Sequence, residues 1–260
     1  MNKISVVIPA LNEEKFLPHL LQSLAAQTRR DFDVVVVDGC SQDKTVEVAR
    51  SFGAKLPGLA VIVSPKAGVS LQRNLGARAS HGEWLVFLDA DSRVQPYFME
   101  RIERFIQEAQ PKLFTSWFRP DSEGATDALF ALIANMFVEG SVVAHRSIAP
   151  GPLTVVRRDA FELVHGYDEG LSFSEDYDLT ERLTARGIPL RILRETLYVL
   201  SLRRVRKDGR LRTVGFYLFT GMQVLLTRRN VVKLPYVMGG QNYEAKPGRP
   251  KLHRVWRRTT

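Results

Sequence analysis

The chain has 260 residues, 45% of them hydrophobic and 25% charged, with 18 Gly and 13 Pro, which allows a sizeable buried core and excludes collagen-like, disordered and small disulfide-rich classes. Its single cysteine, Cys40, cannot close an internal disulfide, so a cytoplasmic setting is expected. The formal charge of +9 is uneven: residues 201–260 carry 15 basic and 2 acidic side chains, whereas residues 1–200 carry 22 and 26. A basic end of this kind suits an anionic partner, either a phosphorylated substrate or a membrane surface. Nucleic acid ranks below both, because no zinc-finger spacing, RNP-like motif or heptad-linked basic region accompanies the charge.

The opening MNKISVVIPALNEEKF lacks a long apolar region and a small-residue cleavage site, so no signal peptide is expected. Short β-branched runs at residues 4–8, 34–37, 59–63 and 84–88 alternate with helical patterns at 16–27, 45–52, 70–79 and 96–109. That alternation predicts an α/β fold with a parallel sheet covered on both faces. The second half is mixed, with a helix expected at 127–138, a strand at 153–157, and helices at 159–164 and 177–186, the last stopped by Gly187. Two further strands are expected at 190–193 and 197–200.

The organisation expected is one domain over residues 1–200, a basic amphipathic helical extension over 201–238, and an extended basic tail at 239–260. Residues 130–144 contain Asn135 and Glu139, and the apolar run 214–226 is only 13 residues long. Neither reaches the roughly 20 residues of a membrane span. The second is flanked by arginines on both sides, which suits a helix lying in the interface of an anionic bilayer. A core or partner-facing helix with solvated ends is the equal alternative.

In a parallel sheet, ligands bind beyond the carboxyl ends of the strands. The first run ends in Pro9-Ala10-Leu11-Asn12-Glu13-Glu14, with neither the glycine-rich dinucleotide fingerprint nor a P-loop. A nicotinamide oxidoreductase and a P-loop kinase are thereby disfavoured. The second run ends at Asp38, whose carboxylate can accept hydrogen bonds from a base or ribose, while Asp43 is the better candidate for holding the following helix start. Cys40, with no histidine nearby in sequence, reads as a turn residue. The fourth run leads into Asp89-Ala90-Asp91, two carboxylates of the kind that hold Mg²⁺ or Mn²⁺ together with substrate phosphates. Ser201-Leu202-Arg203-Arg204 follows the last expected strand, and Arg203 and Arg204 are candidates for binding a phosphate.

Pro9-Ala10-x-Asn12-Glu13, Asp38-Gly39-x-Ser41-x-Asp43-x-Thr45, Arg73-Asn74-x-Gly76 and Asp89-Ala90-Asp91, in that order and approximate spacing, resemble a family 2 glycosyltransferase of the GT-A fold. Further matches are Gly151-Pro152, Arg158 to Phe161, Gly166-Tyr167-Asp168-Glu169 and Ser174 to Leu179, so the resemblance covers about residues 4 to 200. It implies a mixed, mainly parallel, Rossmann-like sheet and inverting transfer of a sugar from a nucleoside-diphosphate donor to a saccharide or lipid-linked acceptor. By the same resemblance Pro9, Asn12, Glu13 and Asp38 surround the nucleoside, and Arg73 lies near it or near the diphosphate. Asp89 and Asp91 hold donor and a divalent metal, with Asp91 the direct ligand. Asp176 is the base, Glu175 orients acceptor or base, and residues 114–148, with Trp117, Phe118, Phe130, Asn135 and Phe137, are expected to form the acceptor side of the cleft.

Taken alone, Glu175-Asp176 reads as a helix start favoured by the helix dipole. The Q-x-x-R-W pattern of chain-extending synthases is missing, as are multiple spanning helices, so single addition is implied. The setting implied is cytoplasmic, with peripheral contact at the inner face of the membrane. Two other functions compete. A haloacid-dehalogenase-like phosphatase would need Thr or Val where Arg93 stands, and a non-catalytic sugar-nucleotide or membrane-binding module is disfavoured by the joint presence of metal and base candidates.

Overall fold

A computed structural model describes residues 3–144, 149–171 and 174–209. The first half follows the expected alternation: β1 (Ile4–Ala10), α1 (Leu17–Ala25), β2 (Phe32–Asp38), α2 (Thr45–Ser51), β3 (Leu59–Val63), α3 (Val69–Ala79), β4 (Trp84–Leu88), β5 (Arg93–Val94) and α4 (Phe98–Ala109). The second half comprises β6 (Leu113–Pro120), α5 (Ala125–Val143), β7 (Leu153–Arg157), α6 (Arg158–Leu163), α7 (Glu175–Ala185), β8 (Arg191–Leu200) and α8 (Arg203–Asp208).

The eight strands form one sheet in the order β3-β2-β1-β4-β7-β6-β8-β5. The first four are mutually parallel. Strand β7 then runs antiparallel to both β4 and β6, β8 is parallel to β6, and β5 is antiparallel to β8. The sheet is therefore mixed and mainly parallel.

Every residue of β1 and β4 is buried, the mark of strands covered on both faces. The alternation within β1 divides the core. Val6 and Ile8 pack with Leu17, Leu20, Leu21 and Leu24 of α1 and Phe98, Ile102 and Ile106 of α4. Val7 faces the opposite layer, with Ala77 of α3, Phe161 of α6 and Leu179 and Leu183 of α7. Helix α3 lies so close to the sheet that a Cβ at Gly76 would stand 2.3 Å from Val7 Cγ1 and 3.1 Å from Val37 Cγ2.

Three expectations need correction. Residues 190–200 do not form two short strands: β8 is continuous and parallel to β6, with register shifts around Trp117 that absorb the irregular spacing of its apolar residues. A strand not expected from the sequence, β6, occupies the first part of residues 114–144, inside the sheet. Phe118 is buried in the core there, and Asn135 of α5 is buried too, exchanging hydrogen bonds with the Phe118 backbone. The helix of that segment, α5, runs from Ala125 to Val143 and is longer than the one expected at 127–138. The apolar run 214–226 and the tail at 239–260 lie outside the described residues. Of the basic extension, residues 201–209 are described, and they return to the body through buried Leu202 and Val205.

Candidate active site

The carboxyl ends of β1, β2 and β4 open on one side of the sheet, and a side chain not singled out in the sequence sets their spacing. Gln72, on α3 and almost wholly buried, donates from Nε2 to the carbonyls of Ala10 (2.8 Å) and Val37 (2.7 Å). The two loops that follow are stitched together. The Asn12 N–H donates to Ser41 Oγ (2.8 Å), Asn12 Oδ1 accepts from the Gln42 N–H (2.6 Å), and the Glu13 N–H donates to Thr45 Oγ1 (2.8 Å). Asp43 accepts from the N–H groups of Glu14 (3.1 Å) and Thr45 (3.0 Å), so it is structural, as read.

Asn12 adopts a left-handed backbone with φ of 53°, a region Asn tolerates better than most residues. Its carboxamide oxygen serves this seam. Pro9 is buried in β1 opposite Val37. Asp38, 1% exposed, accepts from the Ser41 N–H (3.0 Å) through Oδ2, while its buried Oδ1 has no partner. An orphaned carboxylate oxygen at a strand end is a costly arrangement that a ligand donor would relieve.

Arg73 of α3 is the centre of the site. Its side chain is 2% exposed and its guanidinium reaches in two directions. One nitrogen, Nη1, donates to Glu175 Oε1 (3.0 Å) and Asp176 Oδ1 (2.8 Å), both at the start of α7. The other, Nη2, donates to Asp89 Oδ1 (3.0 Å), just past β4, and to the Gly151 carbonyl (3.1 Å). The Tyr167 ring stacks on the same guanidinium at 5.0 Å. A Cβ at Gly151 would lie 2.5 Å from Asp176 Oδ2, so only glycine lets the carboxylate approach this closely. Arg73 is thus turned onto these carboxylates and the Gly151 carbonyl. It bolts the two expected halves of the site together.

These contacts set the protonation balance. Burial works against the charge on Arg73, and the facing carboxylates, Asp176 foremost, reverse this and hold the guanidinium firmly protonated. Burial also pushes the Asp176 carboxyl well above the usual carboxylate range, helped by Glu175 and Asp89 and opposed by Arg73. Asp89 is raised to about 6, again chiefly by burial, although a third of its side chain meets solvent, which softens the field it feels.

Arg203, the first residue of α8, closes the other side. It donates to Glu13 Oε1 (2.6 Å), lies 3.2 Å from Asp91 Oδ2, and stacks on the Phe16 ring at 3.8 Å. Its buried Nη1 has no hydrogen-bond partner. Burial raises Glu13 to about 7 despite the Arg203 contact and raises Asp91 as well. Arg204 also contributes positive potential at Asp91. Beside Asp91 opens a cavity of about 170 Å³ whose lining includes Phe16, His19, Arg93, Asp121 and Ser201.

The residues read from sequence therefore converge in two sets. Glu13, Asp91 and Arg203 form one, and Arg73, Asp89, Glu175 and Asp176 form the other, with Asp38 beyond the Asn12 seam. Gln72, Tyr167, Phe16 and the Gly151 carbonyl were not assigned roles. No residue pattern separates a strand-end clamp such as Gln72 from an ordinary polar helix residue. Among the described residues no cluster of three or more His, Cys, Asp or Glu side chains is arranged to hold a metal ion.

The mixed, mainly parallel sheet, with acidic residues gathered at its strand ends, is an α/β fold of the GT-A class. The sequence profile described as Glycosyl transferase family 2 matches residues 5–162, more than half of the chain, which therefore belongs to that family of glycosyltransferases. An uncharacterized glycosyltransferase of Haemophilus influenzae is 28% identical over 185 residues, 69% of this chain and 61% of the relative. The 4,4'-diaponeurosporenoate glycosyltransferase of Staphylococcus haemolyticus is 32% identical over 65% of this chain and 48% of the relative.

Similar folds are found in the mannosyltransferase PcManGT of Pyrobaculum calidifontis in complex with GDP-Man and Mn²⁺ and in Staphylococcus aureus TarS 1–349 in complex with UDP-GlcNAc. For PcManGT the TM-score is 0.71 at 18% identity over 89% of this chain and 66% of that one. For TarS it is 0.64 at 24% identity over 76% and 58%. The chain spans 61% of the H. influenzae relative and 48% of the S. haemolyticus one.

Proposed function

We propose that this chain transfers a sugar from a nucleoside diphosphate to an acceptor hydroxyl, with inversion, one residue at a time, and with a divalent metal on the donor. The observation that carries this reading is the Arg73 bridge. One buried guanidinium joins Asp89, on the donor side, to the Glu175–Asp176 pair, on the acceptor side, so both ends of a displacement reaction are held by one rigid link.

The chemistry of the donor set fits Mg²⁺ or Mn²⁺. Asp89 and Asp91, just past β4, are hard oxygen ligands, and both are raised above the ordinary carboxylate range chiefly by burial. With few protein carboxylates available, the remaining positions would be donor oxygens and water, the usual arrangement for Mg²⁺. Asp91 would hold the metal and Asp89 would support donor and metal, and the cation would offset charge on the departing diphosphate. The unpartnered Nη1 of Arg203 supports a phosphate contact from α8, with Arg204 behind it. The orphaned Oδ1 of Asp38 supports acceptance of a hydrogen bond from the nucleoside.

Asp176 takes the proton of the attacking hydroxyl. Its burial makes it more basic than an exposed carboxylate, Arg73 fixes its orientation through Oδ1, and Oδ2 is left facing the space that Gly151 keeps open. Glu175 shares the Arg73 clamp and sets the angle of Asp176. The acceptor is a saccharide or a lipid-linked acceptor, and the basic residues after Arg203 support contact with an anionic membrane surface. Thermal-shift screening with UDP, GDP and dTDP sugars and Mn²⁺ tests the donor reading. Metal-dependent stabilisation by one nucleotide class is expected, and stabilisation by none of them contradicts it.

A further inference from the structure

Helix α5 leaves an apolar stripe uncovered. Leu129, Leu132, Ile133, Met136 and Val143 follow a helical repeat, and their residue exposures run from 41% to 77%. Between and beside them the outward positions are Ala125, Thr126, Ala128, Gly140 and Ala144, so the outer face carries no charge over the length of a 19-residue helix. Globular proteins scatter exposed apolar side chains singly, whereas a continuous stripe marks a surface meant to be covered.

Length and composition alone would let α5 cross a membrane, but its inner face is fastened to the sheet. Asn135 bonds the Phe118 backbone, and Glu139 accepts from Trp117 Nε1 (3.1 Å). Buried Asp127 pairs with Arg206 (3.2 Å). The helix can therefore lie on a surface and cannot stand across one.

The surroundings choose the surface. Both acidic residues of α5 are already paired, Asp127 with Arg206 and Glu139 with Arg194 (2.9 Å). Arg194, 71% exposed, flanks the helix, and α8 at the helix start carries Arg204 and Lys207 besides the paired Arg206, while its Arg203 is turned toward Glu13 and Asp91. A stripe without charge beside a basic rim is complementary to apolar chains beneath anionic headgroups. Folding residues 214–226 onto the stripe would bring their flanking arginines toward that same basic rim, with no acidic residue on the outer face to receive them. A second copy would need about 800 Å² per partner for a stable interface, more than five partly exposed side chains supply.

We propose that the outer face of α5 lies in the interface of an anionic membrane. The inference rests on the membrane contact read from the basic end of the chain and places that contact on the folded body. The test is cosedimentation of the full chain with vesicles of phosphatidylcholine alone and of phosphatidylcholine mixed with phosphatidylglycerol. Wild type should bind the anionic vesicles more strongly and keep part of that binding at high salt. The triple variant Leu129→Gln, Leu132→Gln, Met136→Gln should partition about tenfold to a hundredfold less well with an unchanged circular dichroism spectrum. Leu132→Gln alone, a milder change, should lose severalfold. Equal vesicle binding by variants and wild type would overturn the role of α5 and leave the membrane reading in place. Wild type remaining in the supernatant, as monomer or dimer, would overturn both.

Discussion

Replacing Arg73 with methionine isolates the bolt between the two halves of the site. Methionine fills much of the aliphatic volume but removes the four hydrogen bonds made by Nη1 and Nη2. It strands Glu175 and Asp176, whose side chains are only 12% and 13% exposed, while Asp89, at 34%, can partly rehydrate. Removing one partner of a buried ion pair costs about 3–5 kcal/mol. For a chain of this size that is a fall in Tm of about 10 °C.

The loss has a pH signature. Asp89 and Asp176 already stand above their ordinary values, and without the Arg73 attraction both move higher. The folded variant then holds protons that the unfolded chain releases, so stability falls as pH rises through that window. The deficit should be small near pH 4–5, where unfolded carboxylates also become protonated, and full at pH 8. Urea denaturation at both pH values, with chelator present, measures it. A variant as stable as wild type at pH 8, or a deficit equal at both pH values, would refute the account of Arg73 as the neutralising link.

Asp176→Asn preserves volume and removes the proton acceptor, so turnover should drop roughly a hundredfold to ten-thousandfold while donor affinity measured by calorimetry stays within a few-fold of wild type. In wild type the rate should rise with pH through a value above the ordinary carboxylate range, because burial raises Asp176; a plateau already reached at pH 4 would contradict this. Asp38→Ala should weaken nucleotide binding about tenfold, the worth of one hydrogen bond to a charged group, and leave turnover at saturating donor nearly unchanged. Gly76→Ala forces a Cβ against Val7 and Val37 and should cost about 1–3 kcal/mol by denaturant titration, as overpacking does, with no change in which nucleotide binds.

The first half of the fold was readable because its physics is local. β-Branched runs bounded by turns, each followed by an amphipathic helix, indicate parallel strands with little ambiguity, and the observed boundaries of β3 and β4 coincide with the runs. Strand β6 escaped because Leu113-Phe114-Thr115-Ser116-Trp117-Phe118 has no clean alternation; its place is fixed by pairing with β7 and β8, remote in sequence. The same bulged pairing merges two apparent strands into β8. At the site, the acidic residues could be named from their motifs, yet their partnership could not. Nothing in the spacing of Arg73 and Glu175, 102 positions apart, announces that one guanidinium joins Asp89 to Asp176. Likewise Arg203 reads as a phosphate ligand from its place after the last expected strand and the affinity of guanidinium for phosphate, and its contact with Glu13 and Asp91 emerges only when α8 folds back over Phe16.

The central claim, donor and metal held at Asp91 with the base elsewhere, is tested most directly by calorimetric titration of the stabilising nucleotide sugar into wild type, Asp91→Ala and Asp176→Asn, each with Mn²⁺ and with chelator. Wild type and Asp176→Asn should bind alike and only with Mn²⁺, while Asp91→Ala should lose at least tenfold in affinity and most of its metal dependence. Metal-independent binding by wild type, or Asp91→Ala binding as wild type does, would contradict the account.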